Sequence, residues 1–126
     1  MTNIRIDKFE IQWILDESPD LSWLEQSDEE MGDGFEKRSK QRLESYGDEW
    51  VMMGCVARAS VSYPLNGSDA SYNHPDYRRL ESLTSGGLWG IESDSSDEYR
   101  LEVESGQRAE LIDHLQAFGV DTSSVE

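Results

Sequence analysis

Residues 50–65 read WVMMGCVARASVSYPL, and this stretch decides the fold class. Small and apolar side chains dominate it. Cys55, Ala57, Ala59, Val61 and Tyr63 recur at the two-residue period of a strand and share one face. The residues after it, NGSDASYNHPDY over 66–77, are turn formers throughout. A second strand is expected from Arg78 to about Leu83. Thr84-Ser85-Gly86-Gly87 then reads as a bulge or turn, and Leu88-Trp89-Gly90-Ile91 resumes as strand. The two long strands should pair antiparallel.

Toward the N-terminus, Ile4, Ile6, Lys8, Glu10 and Gln12 alternate with Arg5, Asp7, Phe9, Ile11 and Trp13. β-Branched and aromatic residues predict a strand over 3–15. Its apolar positions change face midway, which calls for a bulge or two partly covered faces. Pro19 ends the regular pattern. Over 16–34, Ser27 and Glu30 have the spacing of a capping box, and Gly32 and Gly34 argue against a long helix from there. Trp23 and Leu24 are expected to pin this connector to the core. Phe35, Ser39, Leu43 and Tyr46 predict a short helix over 35–46, stopped by Gly47. Its cations Lys37, Arg38, Lys40 and Arg42 should fold back on the acidic residues before it.

The C-terminal helix has the most signals. Ser95 and Glu98 have capping-box spacing, and Asp97 suits the positive end of the helix dipole. Leu101, Arg108, Leu111, Ile112, Leu115 and Phe118 form one stripe at helical period, expected to face the sheet. Gly106 costs about 1 kcal/mol relative to Ala and marks a candidate kink. Gly119 followed by Val120 has the pattern of a Schellman ending. The expected architecture is α+β: one domain over 1–126, with an antiparallel sheet of three to four strands and the C-terminal helix packed on one face.

Charge says most about partners. The 126 residues carry 27 acids against 11 bases, a net of -16. From Asp16 to Glu36 there are nine acids (Asp16, Glu17, Asp20, Glu25, Asp28, Glu29, Glu30, Asp33, Glu36) and no Lys or Arg before Lys37. A second run (Glu92, Asp94, Asp97, Glu98, Glu102, Glu104) is interrupted only by Arg100. Such a surface repels nucleic acid and anionic membrane and attracts a basic partner. Four Trp, five Tyr and three Phe are too many for a disordered acidic tail, so a small core is expected. The single cysteine, Cys55, needs no oxidising compartment, and neither a signal peptide nor a membrane span is read. The expectation is a soluble cytoplasmic protein.

Chemistry finds few footholds. Asp16, Ser18, Asp20 and Ser22 imitate the start of a calcium loop, but Leu21 and Ser27 stand where Gly and Glu are required. Cys55, His74 and His114 match no zinc spacing. No Gly-x-Ser-x-Gly, phosphate loop or dinucleotide fingerprint occurs. Cys55, between Gly54 and Val56 in an apolar strand, reads as packing rather than a nucleophile. Lys37, Arg38, Lys40 and Arg42 are too few cations to hold nucleic acid within so negative a field. The reading is non-enzymatic, with no metal or cofactor. The remaining function is in the acidic runs. Duplex DNA has one charge per roughly 1.7 Å, so a domain about 35 Å across would face about 20 charges, and the two runs approach that density if they lie together. The competing reading is an adaptor whose acidity serves solubility alone.

The block Arg79-Leu-Glu-Ser-Leu-Thr-Ser-Gly-Gly-Leu-Trp-Gly-Ile-Glu-Ser-Asp-Ser-Ser-Asp-Glu-Tyr99, with the helix through Phe118-Gly119-Val120, resembles small acidic proteins of phages and other mobile elements. The resemblance covers about the C-terminal third and brings no catalytic residue. It implies action against host defence, of the anti-restriction or anti-CRISPR kind. The expected function is therefore a DNA-mimicking inhibitor. Asp16, Glu17, Asp20, Glu25, Asp28, Glu29, Glu30, Asp33, Glu36, Glu92, Asp94, Asp97 and Glu98 would bind the positive nucleic-acid channel of its target.

Overall fold

The computed structural model describes residues 4–64 and 78–126; the turn formers at 66–77, and His74 with them, lie outside the described residues. The apolar stretch forms the central strand, β2 (Met52–Pro64). β1 (Arg5–Leu15) pairs with it antiparallel from Arg5↔Ser62 to Leu15↔Met53. On the other flank, β3 (Arg78–Thr84) pairs with Arg58–Pro64, and β4 (Leu88–Glu92) pairs with Met52–Cys55. The four antiparallel strands therefore occupy three lanes, the third being one strand broken at 85–87. The register shift in β1 falls between Ile6 and Lys8, and Phe9 through Ile14 are half-buried, so this strand has both a bulge and two partly covered faces.

The break in the third lane is satisfied from outside the sheet. Ser85 takes the place of a strand residue: its N–H donates to the Ala57 carbonyl (2.9 Å) and its Oγ accepts from the Ala57 N–H (2.9 Å). The Gly86 and Gly87 N–H groups donate to Glu110 (2.6 Å) and Gln107 (3.0 Å), both on α3 (Asp97–Ala117). No backbone donor at the break has to be buried unpaired. β4 also has a bulge, with Ile91 opposite Met53 but Leu88 opposite Cys55. Gly90 supplies the left-handed backbone it needs, at φ 78°. The extra residue sends Ile91 and Trp89 to opposite faces. Ile91 is buried with Cys55 and Val103, whereas the Trp89 ring covers Gly54, where a Cβ would come within 2.2 Å of it.

α3 packs on the face that carries Cys55, Ala57, Ala59 and Val61, as the strand period predicts. The two alanines leave room for Leu111 and Leu115, both fully buried, with Ile6, Phe9, Ile11 and Leu83 packed around them. The stripe differs from expectation at both ends. Val103 is its first buried residue, and Leu101 is 64% exposed because two residues turn a helix by about 200°. Phe118, also 64% exposed, is the C-cap rather than a helical residue. Val120 fills the position instead. Its N–H donates to Leu115 O (3.0 Å) and that of Gly119 to Gln116 O (2.9 Å), the two bonds of a Schellman ending. Arg108 lies outside the stripe, with its guanidinium over Phe9. The N-cap is Ser96 rather than Ser95, its Oγ accepting from Tyr99 N–H (3.2 Å). The helix is continuous through Gly106.

A second, smaller cluster forms at the start of β2, where Leu24, Trp50 and Met52 pack with Leu21 and Tyr46. The Trp23 and Tyr46 rings meet Trp50 edge-on, so the connector is pinned as expected. α1 (Asp28–Met31) is a single turn ended by Gly32, and α2 (Phe35–Glu44) follows. Ser39 of α2 is buried, but Leu43 is exposed. The C-cap of α2 is Ser45, and Gly47 serves the next turn, its N–H donating to Trp50 O (2.7 Å). Among the described residues no helix is long and apolar enough to cross a membrane.

Candidate functional site

The two acidic runs begin at the same end of the sheet. β1 ends beside Met53 and β4 ends beside Met52. The start of each run is fastened there. Asp16 N–H donates to Met52 O (2.9 Å), and Ser93, next to Glu92, donates its N–H to Val51 O (2.8 Å). Runs separated by more than fifty residues of sequence thus leave from opposite flanks of Val51 and Met52. α3 starts at this end too, since Val103 packs on Cys55 while Leu115 packs toward Val61. Its first turn places Asp97 and Glu98 there, both exposed and both favoured by the helix dipole.

Within this acidic end the carboxylates differ in what they do. α2 has Gly34 as its N-cap, which has no side chain to accept a hydrogen bond. Asp28 Oδ1 accepts from Glu36 N–H (2.7 Å) in its place, and Glu36 Oε1 accepts from Asp28 N–H (3.1 Å). Ser27 caps α1 through Glu30 N–H (3.4 Å), so Glu36 rather than Glu30 completes the reciprocal pair. Asp16 and Asp20 accept from Ser18 N–H and Ser22 N–H (3.0 Å each), and the Ser22 bonds hold the Asp20 carboxyl below its ordinary value. These bonds close local turns within the chain. Among the described residues no three His, Cys, Asp or Glu side chains converge as metal ligands. Glu17, Glu25, Glu29, Glu30 and Asp33 are exposed.

The second run is more committed. Arg42 donates two bonds to Asp94 (2.7 Å each) and one to Glu92, with its guanidinium 3.7 Å from the Trp50 ring centroid. The bonds from Arg42 hold the Asp94 carboxyl low. The α2 cations were expected on the first run. Arg42 pairs with the second instead, because Trp50 and β4 lie beside the last turn of α2. Arg38 donates to the Asp33 carbonyl (3.3 Å). Glu104 accepts from Trp13 Nε1 (2.6 Å), bracing α3 against β1.

Cys55 is fully buried between Ile91, Val103, Ile11 and Trp13. Burial, with a smaller push from Glu104, raises its thiol pKa, which disfavours the reactive thiolate. His114 lies about 16 Å along α3 from the Val103 turn that covers it. One surface feature escaped the sequence reading. Ile14, Leu15 and Trp89, with Asp16, Glu17 and Ser18, line a shallow groove of about 410 Å³ beside the end of β1. The available signal was Trp89 between Gly87 and Gly90, with Gly54 on the neighbouring strand. Comparison with protein-family models, curated proteins and solved structures finds no match.

Proposed function

We propose that the acidic end binds a basic nucleic-acid-binding protein and occupies the channel that would otherwise hold nucleic acid. The supporting observation is the departure of both acidic runs from opposite flanks of Val51 and Met52. The nine acids of Asp16–Glu36 follow in sequence from one flank, and Glu92, Asp94, Asp97 and Glu98 from the other. Arg42, with Lys37, Arg38 and Lys40 on the same helix, offsets only part of that charge. A positive channel would be drawn to this end quickly and in a salt-dependent way. The chain acts in this reading as a non-enzymatic inhibitor in the host cytoplasm. Its target class, a host defence complex of the CRISPR or restriction kind, rests on the resemblance of the 79–99 block. Capture from host lysate at low salt, followed by elution with duplex DNA, tests the proposal. Release of the captured protein by DNA supports it. Proteins that stay bound through DNA and high salt would favour an adaptor instead.

A further inference from the structure

We propose that the groove of Ile14, Leu15 and Trp89, rimmed by Asp16 and Glu17, takes an arginine side chain from the partner. This inference rests on the proposed function and names one contact within it. The molecule already builds such a site for itself. Arg42 lies over the Trp50 ring and is held by the carboxylates of Glu92 and Asp94. Arg100 lies over Trp13 (5.6 Å), whose indole N–H bonds Glu104, and Arg108 lies over Phe9 (4.9 Å). The groove repeats these parts: an indole and two carboxylates. Among the described residues no cation stacks on Trp89.

The geometry leaves the ring available. One face of Trp89 is pressed on Gly54, where three neighbouring ring atoms lie 2.2–2.6 Å from the position of a Cβ. The side chain is nonetheless 47% exposed, and Leu15 beside it is 51% exposed. A guanidinium stacks on an indole face and pairs with a carboxylate in its own plane, and its methylene stem suits an apolar floor. Lysine lacks the planar fork, so it should bind less well. An apolar side chain would leave the Asp16 and Glu17 charges without a partner. The groove opens at the acidic end, so a partner drawn there by the long-range field would reach it without reorienting.

The test titrates the full chain with the peptide acetyl-Gly-Arg-Arg-Gly-amide at low ionic strength. The four tryptophan indole N–H signals are followed by NMR. Trp89→Phe identifies the Trp89 signal by its loss. The Trp89 signal should move first, because the Trp13 and Trp50 indoles already donate to Glu104 and to the Arg42 carbonyl and the Trp23 ring is packed edge-on to Trp50. The lysine version should bind roughly fivefold more weakly, and the citrulline version should leave the signal in place. Asp16→Asn with Glu17→Gln should weaken the arginine peptide by roughly fivefold, with the fold kept, because Asn still accepts from Ser18 N–H. Equal binding of the lysine and arginine peptides would overturn the guanidinium assignment. A static Trp89 signal, with the shift confined to Trp23 within the first acidic run, would overturn the groove while the acidic end kept its proposed role. No shift anywhere would count against both.

Discussion

The first acidic run, with nine acids and no cation, and the second, with six acids and Arg100, are used differently. Between Asp16 and Glu36, the carboxylates that bond the chain do so locally. Asp16 and Asp20 close turns, Asp28 and Glu36 cap each other's helices, and Glu17, Glu25, Glu29, Glu30 and Asp33 face solvent. In the second run Glu92 and Asp94 hold Arg42, and Glu104 holds Trp13. These contacts join elements far apart in sequence, so they stabilise the fold as well as add charge. A count of acids separates the runs only by number. The contacts assign the first mainly to the field outside the molecule and the second partly to its construction.

Variants can separate these roles. The largest effect should come from Leu115→Ala, which touches neither run. Leu115 is fully buried under the sheet, and the change should cost about 2–5 kcal/mol in a denaturant melt. Partner association by the molecules that remain folded should be unchanged, so lost stability alone would not imitate a lost field. Reversal of Glu25, Glu29, Glu30 and Asp33 to Lys should slow association by about ten- to a hundredfold in stopped-flow, with stability altered by about 0.5 kcal/mol at most. Asp28 is left out of that set because it caps α2. If the reversed chain instead unfolds, the first run is structural too and the contrast fails.

Arg42→Ala probes the other side. It removes the clamp on Glu92 and Asp94 and the stack on Trp50, and should cost about 1–2 kcal/mol, discounted because all three charged side chains are partly exposed. Association should not slow, because the acidic end becomes more negative. Asp28→Ala should cost about 1 kcal/mol as a lost helix cap, and a far smaller loss would show that water replaces the carboxylate. The smallest signal is in pH. The Asp94 carboxyl is depressed in the fold by Arg42, from an ordinary value of 3.8. A depressed carboxylate stabilises the fold above its unfolded value, and that gain is lost as pH falls through the folded value. The stability gap between the wild type and Arg42→Ala should stay level from neutral pH to about 4 and narrow below it.

Much of this was legible in the sequence because it depends on local period and local turns. The alternation of Cys55, Ala57, Ala59 and Val61 identified the buried face, and Gly119-Val120 identified the Schellman ending. Helix stripes were less secure. Leu101 and Phe118 were assigned to the core by hydrophobicity, yet where the helix ends decides which side chain reaches the sheet, and Val120 took the last place. Long-range pairing left no local trace. Nothing near Arg42 reveals that it meets Glu92 and Asp94, or that Asp28 stands in for a side chain that Gly34 lacks. Two runs could be seen in the sequence, but their common origin beside Met52 depends on strand register.

The most direct measurement is a displacement titration. The captured partner holds a labelled duplex at physiological salt, where exposed charges are screened beyond about 8 Å, and this chain is added. The chain should release the duplex completely, and the concentration needed should rise steeply as salt is raised. A ternary complex that retains both the duplex and this chain, or binding of the chain to its partner that is unchanged between low and high salt, would contradict occupation of the nucleic-acid channel.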